Sequence, residues 1–346
     1  MQMIPHSRPT LGEEEVLAVA EVLRYGHIVQ GSEVHRFEAE LAGQVDAANA
    51  VAVSSGTAAL HLALVALGVG EGDEVIIPSF VCAALLNAVR HVRATPVLAD
   101  INPDTFNIDV RDVEHRLTPR TKAIIVPHLF GLPAGIRQII ALGVPVIEDC
   151  AQSLGSLLAG APTGSFGLLS VFSFYATKVI CTGEGGMVAS RDAGLLERIR
   201  DLRDYDEKED DRTRYNYKLT DLQAAMGRVQ LRKLPDFIAR RQAIAARYDN
   251  LLMERGIPRP ASPPNREAIP YRYVVRMERL EEFLAAGREA GIGYRRPVFK
   301  PLHRMLGRTG YPQTEAAFST ALSIPLYPSL SDAEVKIILN HLSSAL

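Results

Sequence analysis

The chain has 346 residues, a formal net charge of -2, 47% hydrophobic residues and 23% charged residues. These values are typical of a soluble globular protein with room for one large domain and a smaller one. The nearly balanced charge gives no electrostatic basis for binding nucleic acid or an anionic membrane, so we expect neither as a partner.

The cysteine content and the N-terminal residues indicate the cellular compartment. The three cysteines, Cys82, Cys150 and Cys181, are too few and too irregularly spaced to predict a disulfide framework or a zinc site, which is typical of a reducing compartment. Residues 1–10 lack the basic and apolar regions of a signal peptide. No apolar run approaches the roughly 20 residues that span a bilayer. We expect a cytoplasmic protein without a metal centre.

The first predicted elements are a helix and then an alternation of strands and helices. Thr10-Leu-Gly-Glu13 resembles a capping box, and the helix that follows runs from Glu13 to Arg24 and ends near Gly26. Buried strands are predicted at Ala50–Val53, Glu74–Ile77, Pro96–Ala99, Ala123–Val126 and Val144–Ile147. Helical patterns separate them at Ala58–Leu67, Ala83–Val92, Val110–Leu117 and Ala134–Leu142. This alternation predicts a mainly parallel sheet with helices on both faces.

The remaining elements predict a second, smaller unit. Two strands are expected at Leu168–Phe174 and Gly186–Ala189, an exposed charged loop at 203–214, and a helical pattern from Thr220 to Glu254 with a break at Pro235. Five prolines in residues 258–270 predict a linker. A strand at Tyr271–Met277 and helices at Leu280–Ala290 and Ser331–Leu342 follow. We predict an α/β fold with a large domain, residues 1–235, which includes the N-terminal helical segment, and a small α+β domain, residues 236–346.

Polar residues follow several predicted strands, where open parallel sheets bind ligands. Ser54-Ser-Gly-Thr57 opens a helix with free backbone N–H groups, which suits a phosphate, although such a turn is also an ordinary N-cap. Glu148 and Asp149 end a strand, where an acid can cap a helix or pair with a cationic ligand. A metal is not expected there, because no cluster of histidines or acids completes its ligand set.

Lys178 lies just beyond a predicted strand and beside the glycine-rich turn Gly183-Glu-Gly-Gly186. Desolvation at such a position favours a neutral, nucleophilic amine, whereas the alternative is an ordinary surface lysine. Asn216 precedes a helix and by itself predicts an N-cap.

Taken together, these residues supply what pyridoxal phosphate (PLP) requires. The phosphate needs N–H and hydroxyl donors, and Ser173 adds a hydroxyl to the turn at 54–57. The pyridine nitrogen needs a carboxylate and the aldehyde needs an amine. The sequence therefore predicts a PLP site.

At these residues the chain resembles the DegT/DnrJ/EryC1/StrS family of sugar aminotransferases, within the aspartate-aminotransferase (fold type I) superfamily. The resemblance covers nearly the whole chain. The matching segments are Ser55-Gly-Thr-Ala-Ala-Leu60, Gly72-Asp-Glu-Val-Ile-Ile-Pro-Ser79, His128-Leu-Phe-Gly131, Glu148-Asp149, Phe172-Ser-Phe174, Thr177-Lys178, Thr182-Gly-Glu-Gly-Gly-Met187, Tyr215-Asn-Tyr217, Leu222-Gln-Ala-Ala225 and Leu322-Ser-Ile-Pro-Leu326.

The resemblance implies roles for single residues. Lys178 matches the lysine that binds the cofactor's aldehyde covalently and later moves protons, and Asp149 matches the partner of the ring nitrogen. The other matches are Gly56 and Thr57 in the phosphate turn, the Ser173 hydroxyl, Gln152 facing the ring or its hydroxyl, and Asn216 reaching the phosphate in the neighbouring subunit. A homodimer with shared active sites is thereby implied.

Some positions depart from the family pattern or stay open. Cys82 stands where relatives place an aromatic residue against the pyridine ring, and we expect it to fill that space, with Phe80 as another candidate ring. Cys150 and Cys181 are expected to be buried. His128 is expected to pack behind the site. Arg295, Arg296 and His303 match positions near the substrate entrance, where either anion binding or an ordinary surface role is expected.

The function implied is transfer of an amino group from glutamate, or a similar donor, to a keto sugar, expected to be nucleotide-linked, in amino-sugar, polysaccharide or glycoconjugate biosynthesis. One alternative is a fold type I enzyme that acts on an amino acid, as lyases and desulfurases do, or on a non-sugar ketone such as an inosose. A desulfurase requires a nucleophilic cysteine in an exposed loop, which we do not expect here. A second alternative is a non-catalytic regulator, which the presence of Lys178 and Asp149 disfavours.

Overall fold

The apolar runs form strands, as expected. The computed structural model describes residues 3–258, 261 and 263–345. Its strands are β1 (Asn49–Val53), β2 (Glu74–Pro78), β3 (Thr95–Ala99), β4 (Thr121–Pro127), β5 (Val146–Asp149), β6 (Leu157–Leu158), β7 (Ala161–Pro162), β8 (Leu169–Ser173), β9 (Gly186–Ser190), β10 (Arg266–Glu267), β11 (Tyr273–Arg276) and β12 (Ala321–Ile324).

A seven-stranded sheet with the order β1-β9-β8-β5-β4-β2-β3 lies at the centre of the fold. Strands β8, β5, β4, β2 and β3 pair in parallel, whereas β9 runs antiparallel to both β8 and β1. The connection between β8 and β9 contains no helix, whereas a parallel pair usually needs a helical crossover. The mainly parallel sheet is confirmed, and the carboxyl ends of its parallel strands share one edge.

Helices cover the sheet and build the rest of the fold. They are α1 (Glu13–Tyr25), α2 (Ser32–Gln44), α3 (Gly56–Ala66), α4 (Ala83–His91), α5 (Val110–His115), α6 (Ile136–Ile140), α7 (Ala193–Leu202), α8 (Asp221–Arg232), α9 (Leu234–Glu254), α10 (Leu280–Glu289), α11 (Leu302–Met305), α12 (Pro312–Thr320) and α13 (Asp332–Ala345). In the part of the chain that the structure describes, no helix is long and apolar enough to cross a membrane.

Two helix boundaries differ from the sequence expectations. Helix α1 begins at Glu13, but its N-cap is Gly12, whose N–H donates to the Glu15 carboxylate at 2.8 Å. The predicted capping box at Thr10 is therefore wrong. The long pattern between Thr220 and Glu254 is divided at Lys233, and Pro235 lies in the first turn of α9, where its missing N–H costs no hydrogen bond.

Two smaller sheets flank the central one. β10 comes from the predicted proline-rich linker and pairs with β6, which also pairs with β7. Arg259, Pro260 and Ser262 of that linker lie outside the described residues. β11 pairs antiparallel with β12 and belongs to a C-terminal hydrophobic core that includes Ile4 from the N-terminal end.

The C-terminal region is also attached directly to the central sheet. Leu302 N–H donates to the carbonyl of Ser79, which follows β2, at 2.9 Å. The carboxylate of Asp100, which follows β3, accepts from the N–H groups of Gln313 and Thr314 at 2.9 and 2.8 Å. Thus α11 and α12 are fixed to the ends of two strands, and the division into domains at residue 235 stays a prediction.

Candidate active site

The turn after β1 presents backbone N–H groups at the start of α3. Ser55 is the N-cap: its hydroxyl accepts from Ala58 N–H at 3.1 Å and its carbonyl from Ala59 N–H at 3.0 Å. The N–H groups of Gly56 and Thr57, in the first turn, have no carbonyl one turn earlier to bond. They remain available to an anion and lie at the positive end of the helix dipole.

Ser173 lies directly against this turn. It ends β8, and a Cβ atom added to Gly56 would lie 2.8 Å from the Ser173 Cβ and 3.2 Å from its hydroxyl. Gly186 of β9 is equally close, since a Cβ there would lie 2.3 Å from the Ser55 carbonyl oxygen. Glycine at both positions lets the turn pack on β8 and β9, so the structure brings Gly56, Thr57 and Ser173 together.

Asp149 ends β5, which is the neighbour of β8 in the sheet. Its carboxylate is buried and accepts from Ala151 N–H at 3.0 Å. Burial raises the pKa of Asp149, while that N–H and the positive charge of Lys178 oppose the rise. No described residue forms an ion pair with this carboxylate, and a buried carboxylate in that state suits a cationic group on a ligand.

Glu148 and His128 form a buried pair behind Asp149. His128 Nδ1 accepts from Ala134 N–H at 2.9 Å, so Nε2 carries the proton and donates to Glu148 at 2.8 Å. Burial alone would raise the pKa of Glu148, but the hydrogen bonds from His128 and the backbone hold it below its ordinary value. Cys150 lies near enough to form a metal-ligand group with them, but the His128 nitrogens and the Glu148 oxygens are already hydrogen-bonded, so we assign no metal.

Gln152 is held by an unusual backbone segment. Its side-chain oxygen accepts from Phe130 N–H at 2.8 Å. Phe130 has a φ of 61°, in the left-handed region that a bulky residue rarely adopts. The strained turn after β4 therefore orients the Gln152 amide, whose NH₂ group has no hydrogen-bond partner in the described part of the chain.

Lys178 lies in the loop between β8 and β9 and is partly buried. Its Nζ atom is 5.7 Å from the centre of the Tyr271 ring. Two arginines also lie by this buried ring, Arg272 at 5.6 Å and Arg241 at 6.0 Å. Burial would raise the pKa of Tyr271, but the charges of Lys178 and Arg272 bring it below its ordinary value.

Asn216 lies on the segment next to the phosphate turn, yet its side chain is exposed. The backbone of this segment is fixed, because Tyr217 O accepts from Ser54 N–H at 2.7 Å and Tyr217 N–H donates to Arg203 O at 3.0 Å. Arg203, expected in the exposed loop, is instead buried and donates to Glu38 at 2.7 Å.

The cysteines differ in exposure. Cys82 is the N-cap of α4 and its side chain is exposed, so the expectation that no cysteine lies in an exposed loop was wrong, whereas its place beside the cofactor ring stays a prediction. Phe80 is fully buried against Phe106, with 6.0 Å between ring centres. Cys150 and Cys181 are buried, as expected.

Of the three residues expected near the substrate entrance, Arg295 and Arg296 line one cavity and His303 lies elsewhere. Arg295 is exposed and lines a cavity, together with Arg296, which pairs with Glu281 and stacks on Phe318 at 4.8 Å. His303 is buried elsewhere, where it bonds to Ser79 Oγ at 2.7 Å and to Glu315 at 2.5 Å. The geometry of His303 is that of a packing residue.

The edge of the sheet therefore offers phosphate donors, a buried carboxylate, an amide and an amine, which match the groups of PLP. Sequence reasoning missed Tyr271, whose ring lies beside Lys178, and also Arg272 and Arg241, which lie by the same ring. No local motif identifies them, since Tyr271 and Lys178 meet only through the tertiary fold.

Known proteins resemble the chain over almost its full length. The model of the DegT/DnrJ/EryC1/StrS aminotransferase family matches residues 9–343. A GDP-perosamine synthase of Escherichia coli O157:H7 is 35% identical, over 97% of this chain and 96% of the relative. The crystal structure of the aminotransferase TlmJ from Streptoalloteichus hindustanus has a TM-score of 0.94 and 35% identity, over 99% of this chain and 98% of that one.

A further solved structure, the PLP form of Spr1654 from Streptococcus pneumoniae, has a TM-score of 0.93 and 31% identity, over 99% of this chain and 98% of that one. These likenesses confirm the fold type I architecture and the dependence on PLP. The chain belongs to the DegT/DnrJ/EryC1/StrS aminotransferase family and is a PLP-dependent aminotransferase.

Proposed function

We propose that this aminotransferase moves an amino group from glutamate to a nucleotide-linked keto sugar and so serves amino-sugar biosynthesis. The observation that carries the proposal is the convergence of Lys178, Asp149 and the Gly56–Thr57 turn at one edge of the sheet. The similarity to a GDP-perosamine synthase supports a nucleotide-linked sugar as the acceptor.

The residues divide the binding of the cofactor among them. The N–H groups of Gly56 and Thr57 and the Ser173 hydroxyl bind its phosphate, because they converge at the N-terminus of α3. The buried Asp149 carboxylate would pair with the ring nitrogen. The NH₂ of Gln152, which has no hydrogen-bond partner among the described residues, would face the ring or its hydroxyl. Cys82, exposed at the start of α4, provides a small contact beside the ring.

Lys178 performs the proton transfers. When bound, the cofactor supplies an electron sink for the carbon that carries the amino group. Lys178 Nζ would hold the cofactor, and as a free amine it would remove and return the proton at that carbon. Asp149 keeps the ring nitrogen protonated during these steps.

We also propose a homodimer with shared active sites. Asn216 is exposed beside the phosphate turn, as a residue that reaches into a neighbouring subunit must be. The N-terminal region supports a partner surface, because it exposes a series of large apolar side chains. These are Leu11, Val16, Leu17, Leu23, Tyr25, Ile28 and Val29. The cytoplasmic location remains a prediction from the cysteine content.

The first experiment is an absorbance spectrum of the purified protein with PLP, before and after glutamate is added. We expect a visible band from cofactor bound to Lys178 that collapses with glutamate and returns when the correct keto sugar is supplied. The variant Lys178→Ala should show no such band and no turnover, whereas the exposed-lysine control Lys122→Ala should match the wild type. Turnover by Lys178→Ala without added amine would overturn the assignment.

A band that ignores glutamate would redirect the donor assignment to another amino acid or to lyase chemistry. Acceptance of an inosose but of no nucleotide-linked sugar would overturn the acceptor assignment.

Dimers that combine two different variant subunits test the shared site. If Asn216 acts across the interface, hybrids of Lys178→Ala and Asn216→Ala subunits contain one intact site and regain activity. If Asn216 acts within its own subunit, both sites of the hybrid stay inactive.

A further inference from the structure

A cavity of about 790 Å³ opens beside the loop that carries Lys178. Tyr175 and Thr177, which precede Lys178 in that loop, form part of its wall. Its volume lies in the range of small-molecule sites, which is roughly 300–1,000 Å³. The cavity is therefore large enough for a substrate group that extends beyond the reacting sugar.

The cavity carries more positive than negative charge. Four arginines line it, and the one acidic lining residue among those described, Glu281, already pairs with one of them, Arg296. In the described part of the chain, no carboxylate forms an ion pair with Arg272, Arg288 or Arg295. Guanidinium groups gathered without counter-charges indicate a binding site for an anion.

The surroundings of His6 show independently that the charges of Arg272 and Arg295 act on the same buried side chain. Burial first, and then the charges of Arg272 and Arg295, together lower the pKa of His6 from 6.5 to about 3. His6 Nε2 is 2.8 Å from Ser323 Oγ, and the backbone of Arg295 pairs with the same serine. The two guanidinium groups therefore repel protons from one buried ring, and an anion would offset that repulsion.

We propose that Arg272, Arg288 and Arg295 bind the diphosphate of the nucleotide-linked substrate. This assignment rests on the proposed function and names the substrate group that the cavity takes. Three guanidinium groups that lack an ion-pair partner among the described residues exceed what the single carboxylate of an amino donor needs, whereas they match the several charges of a diphosphate. Phe299, which lines the same cavity and is 90% exposed, offers a ring face on which a nucleotide base can stack.

Calorimetric titration of the PLP-loaded enzyme with UDP, GDP, TDP and inorganic pyrophosphate tests the proposal. We expect at least one nucleoside diphosphate to bind, and Arg295→Gln and Arg288→Gln to weaken it by about tenfold each, as expected for loss of a charge-assisted contact. Arg279→Gln is the matched control, because Arg279 is exposed, pairs with Glu282 and lies outside the cavity. It should bind like the wild type.

The glutamate half of the reaction separates the two proposals. The spectral change with glutamate should keep its concentration dependence in Arg295→Gln. If glutamate affinity falls and diphosphate affinity does not, the arginines hold the donor carboxylate and the inference is overturned. It is also overturned if wild-type enzyme responds to glutamate but binds none of the four probes. Absence of any response to glutamate would instead count against the proposed function.

Discussion

Glu148 and Asp149 are consecutive at the end of β5, but their carboxylates have different partners. Glu148 accepts hydrogen bonds from His128 and from the N–H groups of Gly164, Phe166 and Gly167. Asp149 accepts from Ala151 only, among the hydrogen bonds of the described residues. Because successive side chains of a strand point to opposite faces, one acid fixes the fold and the other is left for a ligand.

This difference predicts that one isosteric substitution lowers activity and the other lowers stability. Asp149→Asn should fold normally but lower kcat by about 100-fold or more, since an amide does not hold the cofactor's ring nitrogen protonated. Glu148→Gln should lower the free energy of unfolding by about 3 kcal/mol, because it removes a buried charge that several donors surround. Steady-state kinetics and urea unfolding measure the two effects, and an equal loss of stability in both variants would contradict this division.

The Tyr271 ring is predicted to position Lys178. Tyr271→Phe keeps the ring and should change kcat/KM little, whereas Tyr271→Leu removes the ring face beside Nζ and should lower kcat/KM roughly tenfold. The rate at which added PLP develops its visible band gives a second readout on the same amine. If Tyr271→Phe is as impaired as Tyr271→Leu, the hydroxyl is the important group and the ring is not.

His61 makes stability depend on pH. Burial, followed by the charge of His91, lowers the pKa of His61 from 6.5 to about 4. Between these values the unfolded chain binds a proton that the folded chain does not, so the free energy of unfolding falls as pH falls from 6.5 to 4. Above the unfolded pKa this group has no effect.

We expect His61 to contribute about 2 kcal/mol to that loss, with allowance for solvent screening. Urea unfolding at several pH values measures it, and His61→Gln, which can still bond to the Tyr217 hydroxyl, should flatten the slope. An unchanged slope would assign the acid sensitivity to other groups.

His303 is predicted to support the fold and not to bind substrate. It joins Ser79, at the end of β2, to Glu315 on α12, and it stacks on Tyr311 at 5.0 Å. His303→Asn should lower the free energy of unfolding by about 2 kcal/mol and leave nucleoside-diphosphate affinity unchanged. Arg295→Gln should give the reverse pattern, and a loss of affinity in His303→Asn at full stability would contradict this reading.

Much of the fold follows from local sequence patterns. The runs at Ala50–Val53 and Val144–Ile147 predicted buried strands because continuous apolar residues suit a sheet covered on both faces. Helix α2 was not predicted, although Val34, Phe37 and Leu41 have helical spacing and are all buried. That signal was present in the sequence.

Other features depend on contacts that no local pattern encodes. The ring of Tyr271 meets Lys178, and Arg203 meets Glu38, only after distant segments pack. Local sequence also does not reveal which arginines have an acidic partner. Arg295 and Arg296 are adjacent in sequence, yet among the described residues only Arg296 forms an ion pair. Sequence reasoning therefore predicted the candidate PLP-binding residues but not the residues that the fold places around them.

The attachment of α11 and α12 to the sheet restricts how substrate can enter. A hinge rotation of the C-terminal region would have to break the hydrogen bonds to Ser79 and to Asp100 together. We therefore expect entry to depend on side-chain rotation at the rim, as at the exposed Phe299. Such rotations take picoseconds to nanoseconds, whereas hinge motions take microseconds to milliseconds. On this scale, rotation of a rim side chain would be too fast to limit turnover.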